Sequence, residues 1–413
     1  MHTGDCVSEI NHPYSLYLHI PFCVKRCSYC DFNTYAGRLA LVDDYVEALC
    51  IEIEKVGKSR GEQIVIHTIY FGGGTPSLIS ASDLKKVLGA IKVWTIWKDD
   101  IEISIEANPG TLSRAVVEEM AAAGLNRISI GMQSADPQEL SLLGRIHTQQ
   151  EVYQSVGWAR QIGLSNINLD LLYGIPGQDL SSWESSLLQA VSLKPEHLSL
   201  YALTLEGGVL LERLIKAGSL PPQQEDLMAD MYDLAGELLE THGYHQYEIS
   251  NWVRFNSRGE LLVSRHNLQY WRNLPYLGFG AGAHGYAGGV RTENVRRIGA
   301  YQKRCREGSA LAFPAGPALK NRLVVDRWLE MQETMMLGLR LTQEGISKSG
   351  FAERFGIEVE EVFVDQVELL IGKGLLSWSG DQMDSLRLTP YGRLLGNQVF
   401  MHFVGNEPPQ NIR

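Results

Sequence analysis

At 413 residues, with 44% hydrophobic and 21% charged side chains, the chain has the length of about two domains and an ordinary globular composition. A formal charge of −11 argues against nucleic-acid binding or a polybasic membrane contact by the chain as a whole. The polar first residues do not read as a secretory signal, and no apolar run reaches the length of a membrane span, so the expected location is cytoplasmic. Thiols stay reduced there, and six cysteines are expected to be buried or metal-bound rather than paired.

In chain order, strand-like segments fall at Leu16–Ile20, His67–Phe71, Ile101–Glu106, Arg127–Ile130, Asn166–Asp170 and His197–Tyr201. Helical periodicity fills the intervals at Val42–Val56, Ala81–Ile91, Ser113–Ala123, Gln150–Ile162 and Ser182–Leu193, with a further helix over Asp226–His242. This alternation predicts βα units around a parallel sheet. Six units favour a partial (β/α)6 barrel over a doubly wound sheet, with chemistry at the C-terminal strand ends. Composition shifts after Leu311, and Phe313–Leu319 with Pro314, Gly316 and Pro317 reads as a linker. Residues 1–311 are therefore expected to form the barrel unit and 312–413 a C-terminal unit. In the latter, helices are predicted over Arg327–Leu339, Ile346–Phe355 and Glu358–Lys373. A hairpin of Leu375–Trp378 and Leu386–Leu388 around a Gly380–Asp384 turn completes a winged-helix-like α+β pattern. The stretch from Ala318 onward has three more acidic than basic residues, which disfavours DNA binding by this wing.

Three of the six cysteines stand together as Cys23-x3-Cys27-x2-Cys30, directly after the first strand. A loop so spaced can fold around one corner of a cubane, each thiolate binding a different iron and the fourth iron staying open. A zinc site with His19 as fourth ligand is the rival reading of the same spacing. Later turns carry polar groups at matching places. Gly72-Gly73-Gly74-Thr75-Pro76 follows the second strand, where missing Cβ atoms permit close backbone approach to a ligand. Glu106 ends the third strand, Gln133 follows the fourth, Arg145 stands in Gly-Arg-Ile-His, and Asp170 closes the fifth. A carboxylate or a guanidinium there suits the charged ends of a small ligand.

The string Tyr17-Leu-His-Ile-Pro-Phe-Cys23-Val-Lys-Arg-Cys27-Ser-Tyr-Cys30 resembles the radical-SAM superfamily. Within it the string is similar to the branch that holds the oxygen-independent coproporphyrinogen III oxidases and the heme chaperones. The resemblance implies a [4Fe–4S] cluster on Cys23, Cys27 and Cys30, with S-adenosyl-L-methionine chelating the open iron. It also implies S-adenosylmethionine contacts at Tyr17, Gly73, Gly74, Thr75, Glu106, Gln133, Arg145 and Asp170, with Tyr29 beside the adenine. Two features separate the two activities. The oxidases continue with a fourth cysteine two positions after the third, where this chain has Phe32, and they carry an extended segment before the first strand, where this chain has 16 residues before Tyr17. Both resemble the heme-chaperone branch (HemW). That branch also shows the string His266-Asn-Leu-Gln-Tyr270-Trp271, which makes His266 a heme candidate. His284, in Gly-Ala-Gly-Ala-His-Gly, is the next.

The resemblance thus implies binding of heme and its transfer to heme-acceptor proteins. An electron donor such as flavodoxin or ferredoxin is implied if S-adenosylmethionine is cleaved. The alternative activity is oxidative decarboxylation of coproporphyrinogen III to protoporphyrinogen IX. One departure from the pattern is Glu206-Gly-Gly-Val, where the family commonly has Glu-Pro-Gly-Thr.

Overall fold

A computed structural model describes residues 12–405, except 257, 381 and 382, together with 407 and 408. Its centre is one twelve-stranded sheet. In chain order the strands are β1 (Tyr14–Ile20), β2 (Ile64–Gly73), β3 (Thr95–Ala107), β4 (Arg127–Gln133), β5 (Ile167–Tyr173), β6 (His197–Ala202), β7 (Tyr244–Glu248), β8 (Asn251–Arg254), β9 (Tyr276–Phe279), β10 (His284–Ala287), β11 (Val290–Asn294) and β12 (Leu319–Val324). Their spatial order is β12-β11-β10-β9-β1-β2-β3-β4-β5-β6-β8-β7. The run from β9 to β6 is parallel, and the strands at both ends are antiparallel additions. The two ends of the sheet do not pair, so the expected partial barrel is an open one.

Alternation along each strand sorts the side chains by face. Leu16, Leu18 and Ile20 of β1 are fully buried in the layer beneath the helices, and each adds roughly 2 kcal/mol by leaving water. Ser15, Tyr17 and His19 take the alternate positions, as do Thr68 and Tyr70 of β2, Ser129 and Gly131 of β4, and Asn168 and Asp170 of β5. The inner face of the sheet is therefore polar, and it carries the site.

The helices that cover the outer face follow their strands as expected. They are α1 (Val42–Arg60), α2 (Ala81–Lys92), α3 (Arg114–Ala122), α4 (Gln149–Gln161), α5 (Leu180–Ser192) and α6 (Glu225–Thr241). Local chemistry fixes their starts. The Ser80 side chain accepts the Asp83 N–H, Asp179 accepts that of Ser182, and Thr148 with Glu151 forms a reciprocal capping box.

The segment after Leu311 departs from a plain linker. Phe313 packs edge-on against Tyr14, and β12 then joins the large sheet against β11. A second core, running from Met331 to Phe403, begins with the helix Arg327–Gly338. There Ile346–Ser347 is a short strand rather than helix, and Ser347 caps the helix Lys348–Phe355. The predicted helix over Glu358–Lys373 breaks at Phe363, whose backbone (φ −121°, ψ 29°) leaves the helical region to bury its ring. Strands Leu376–Ser379 and Ser385–Leu388 close a three-stranded wing. Part of the predicted Gly380–Asp384 turn lies outside the described residues.

Candidate cofactor site at the strand ends

The loop after β1 brings Cys23, Cys27 and Cys30 to one cavity of about 410 Å³. Its position is pinned from several sides. Ser28 donates through its N–H to Leu143 O (3.0 Å) and through its hydroxyl to Leu142 O (2.7 Å), and the Leu211 N–H donates to Ser28 O (2.9 Å). Each thiol has a polar neighbour. The Thr75 hydroxyl reaches the Cys23 sulfur at 3.7 Å, Arg145 Nη1 reaches that of Cys27 at 3.6 Å, and the Thr34 hydroxyl lies 3.8 Å from that of Cys30. Burial pushes the Cys23 thiol up, opposed by the Thr75 hydrogen bond and the Arg145 charge.

The same cavity is lined by Tyr29, Gly73, Gly74, Thr75, Glu106, Gln133, Arg145 and Asp170. Gly74 stands so close to the cluster loop that a Cβ would lie 2.6 Å from Phe22 O and 3.0 Å from the Cys23 sulfur. Glu106 is held as a pair of acceptors: Oε2 receives the Gly73 N–H at 2.9 Å and Oε1 the Tyr70 hydroxyl at 2.9 Å. Burial pushes its carboxyl up to about 7. Asp170, also raised by burial, accepts the Ser129 hydroxyl and the Asn168 amide, each at 2.8 Å. Gln133 adopts a left-handed backbone (φ 64°) where the pairing of β4 with β5 shifts register. Such a bulge re-aims a side chain. Arg145 also donates through Nη2 to Gly131 O at 2.8 Å, so its guanidinium faces a thiol and a strand end.

Tyr17 is the exception among the predicted contacts. It lines a neighbouring cavity of about 560 Å³, and its hydroxyl bonds to His19 Nδ1 at 3.0 Å. His19 Nε2 in turn donates to Asn33 O at 3.0 Å. Both ring nitrogens are thus engaged, and His19 supplies no fourth ligand. Among the described residues no three His, Cys, Asp or Glu side chains converge on a single ion position. The soft thiol donors, the cationic Arg145 and the small residues at Gly73 and Gly74 fit a cluster with a small zwitterionic cofactor above it.

The heme candidate His266 belongs to an internal hydrogen-bond network. It is 1% exposed, on the helix Arg265–Trp271, and stacked on Tyr70 at 4.9 Å. Thr68 gives its proton to Ser15, so the Thr68 oxygen accepts from His266 Nδ1 (2.8 Å), and the Tyr270 hydroxyl bonds to Nε2 (2.8 Å). Both ring nitrogens are hydrogen-bonded within the fold. His284 is exposed and lines the second cavity. The glycines around it serve the backbone rather than a ligand: a Cβ on Gly278 would meet His284 O at 1.9 Å, and one on Gly280 would meet His19 O at 2.6 Å. Sequence reasoning missed Tyr70, Ser129 and Tyr201, which also line the cluster cavity. Their inward positions on strands were the available signal.

An open parallel (β/α) sheet with three thiols gathered at the C-terminal rim defines a radical-SAM protein. The Radical SAM superfamily profile matches residues 17–190, and the HemN C-terminal domain profile matches 325–395. The chain is 40% identical to the heme chaperone HemW of Bacillus subtilis (strain 168) over 95% of this chain and 99% of that one. It is 35% identical to the heme chaperone HemW of Lactococcus lactis, covering 96% and 98%. The fold is that of the coproporphyrinogen III oxidase HemN of Escherichia coli, with a TM-score of 0.78 at 24% identity over 95% of this chain and 90% of that one. The chain therefore belongs to the HemW family of the radical-SAM superfamily. Membership of that superfamily brings a [4Fe–4S] cluster and S-adenosylmethionine. Among the described residues no helix is long and apolar enough to cross a membrane.

Proposed function

We propose that this protein is a heme chaperone that binds heme, carries a [4Fe–4S] cluster with exchangeable S-adenosylmethionine, and passes heme to acceptor proteins. The observation that carries the reading is Phe32. It is 63% exposed and lines both the cluster cavity and the neighbouring one. An apolar ring in water at the junction of two cavities suits a large flat ligand better than a fourth thiol would. The full-length similarity to proteins called heme chaperones supports the same reading.

In this reading Cys23, Cys27 and Cys30 bind three irons and leave the fourth to S-adenosylmethionine. When bound, the cluster supplies one electron at a time. Glu106 and the Gly73–Thr75 turn hold the cationic amino group, while Gln133 and Asp170 take polar groups of the nucleoside. Tyr29 lies beside the adenine. Arg145 Nη1, 3.6 Å from the Cys27 sulfur, places a cation beside the cluster on that side. An electron carrier of the flavodoxin or ferredoxin type serves the cluster if the cofactor is cleaved.

The test is an anaerobic incubation of cluster-loaded protein with S-adenosylmethionine and coproporphyrinogen III, with porphyrins analysed by mass. A parallel arm contains heme-loaded protein and an apo-acceptor. The expected result is heme transfer without carbon dioxide release. Robust formation of protoporphyrinogen IX would overturn the chaperone reading in favour of the oxidase.

A further inference from the structure

We propose that Arg127 is a positioning residue of the cofactor site: sealed against the inner face of the sheet one layer beneath Glu106 and Asp170, its guanidinium is their counter-charge. This rests on the reading above, in which those two carboxylates hold polar groups of S-adenosylmethionine.

Strand register fixes where Arg127 stands. It opens β4 opposite Ser104 of β3, and two residues further on Ser129 lies opposite Glu106. On the other side Ser129 lies opposite Asn168 of β5, and Gly131 opposite Asp170. Alternation puts Arg127, Ser129 and Gly131 on one face, so Arg127 points inward below the cofactor wall. The residue is 2% exposed. Its Nε meets no acceptor, and among the described residues the guanidinium makes no hydrogen bond and no ion pair. Arg354 and Arg291, by contrast, each bond a glutamate directly. A charge taken out of water with no contact partner is costly, so Arg127 must be offset through space.

The charges available to offset it are those of the cofactor wall. Burial raises both Glu106 and Asp170, the Asp170 charge raises Glu106 further, and the Arg127 charge lowers both. Without that cation the two carboxyls would hold their protons to higher pH, and a protonated carboxyl is a poor partner for an ammonium group. Burial keeps His197 and His266 neutral, and Arg127 acts in the same direction, so neither imidazole supplies the charge instead. The tyrosines that face the two carboxylates are Tyr17, Tyr70, Tyr201, Tyr270 and Tyr29, and desolvation raises each, so they stay uncharged. Arg145, on the same wall, is spent on the Cys27 sulfur and Gly131 O. Lys25, Arg26 and Asp31 line the cavity from its exposed side, where water screens them.

The experiment measures S-adenosylmethionine affinity by calorimetry from about pH 6 to about pH 9. It uses the anaerobically reconstituted full chain and its Arg127→Met, Arg127→Lys and Glu106→Gln variants, with cluster iron content as the folding control. Arg127→Met is expected to bind about tenfold more weakly near neutral pH, and to regain affinity about one pH unit above wild type. Arg127→Lys keeps the charge and is expected to follow the wild-type profile. A wild-type profile in Arg127→Met, an equal loss at every pH, or as large a loss in Arg127→Lys would each overturn the proposal. Should Arg127→Met lose cluster iron, combining it with Asp170→Asn removes one charge of each sign and is expected to restore it. No restoration would overturn the proposal as well. Wild-type affinity in Glu106→Gln would instead overturn the reading of Glu106 as a cofactor contact.

Discussion

Gln133 holds a backbone conformation that an L side chain rarely adopts, at a bulge facing the cluster cavity. Strain of this kind costs on the order of 1 kcal/mol, so Gln133→Gly is expected to leave the apo-protein as stable or about 1 kcal/mol more stable in urea unfolding. Affinity for S-adenosylmethionine should fall in the same variant, and a rise would sink the assignment. Cys27→Ser is expected to lose the cluster's visible absorbance and its iron after anaerobic reconstitution; unchanged iron content would remove Cys27 as a ligand. His266→Ala makes the opposite kind of prediction. Its ring is buried, stacked and doubly hydrogen-bonded, so truncation should lower stability by about 2–4 kcal/mol, read as a fall in urea midpoint. The heme spectrum should not change; a changed spectrum would restore His266 as a ligand. The three cysteines were legible because their spacing is local. The fate of His266 was not, because its partners Thr68 and Tyr70 lie some two hundred positions earlier in the chain.

Among the elements, α1 shows how the second cavity is held. Glu52, fully buried on this helix, accepts the Gly280 N–H at 2.8 Å, the Asn294 amide at 2.6 Å and the Tyr301 hydroxyl at 2.6 Å. One carboxyl thereby ties α1 to the loop before β10, to the end of β11 and to the helix Ile298–Glu307. Burial raises its pKa from 4.5 to about 7. A raised carboxyl favours the protonated folded state, so this contribution is fully present below pH 4.5. It is lost as pH rises to about 7, and changes little above that. Glu106 and Glu248 are raised to about 7 as well and act with the same sign. The Glu52 contribution should therefore fall between about pH 5 and 7, so Glu52→Gln should differ from wild type in its stability slope across that range, by on the order of 3 kcal/mol. Equal slopes in both proteins, from urea unfolding across that range, would rule it out. The six βα units were legible because each pairs a local apolar run with a local helical period. The strand β9 and the antiparallel strands β10–β12 were not, since their pairing depends on glycine contacts such as Gly278 against His284, which only the folded hairpin displays.

For the whole molecule, the C-terminal unit is joined to the sheet unit through Arg354. Its guanidinium donates to Glu330 at 2.6 and 3.0 Å and to the backbone oxygens of Arg272 and Asn273, just beyond the His266 helix. The pair is largely buried, at 14% and 10% exposure. Arg354→Ala leaves Glu330 without its partner and should destabilise the junction by about 3–5 kcal/mol. Limited proteolysis should then cut residues 325–403 faster than in wild type; an unchanged cleavage pattern would show that other contacts across the junction, such as Arg272–Glu344 and Arg291–Glu333, hold it instead. The three-helix and hairpin pattern of this unit was legible in outline. Its seat on the sheet was not, because one arginine among many gives no sign in sequence of which carbonyls it will meet.

The sheet stops short of itself, and that has a consequence for how such a protein diversifies. A closed ring would make every strand a neighbour of every change. Here the parallel strands carry the cofactor wall, while the second cavity takes one side from an antiparallel ribbon appended at a free edge. The two cavities thus share a wall at Asp31, Phe32, Gly73 and Glu106, while the far side of the second belongs to a ribbon whose sequence can vary without touching the thiol loop.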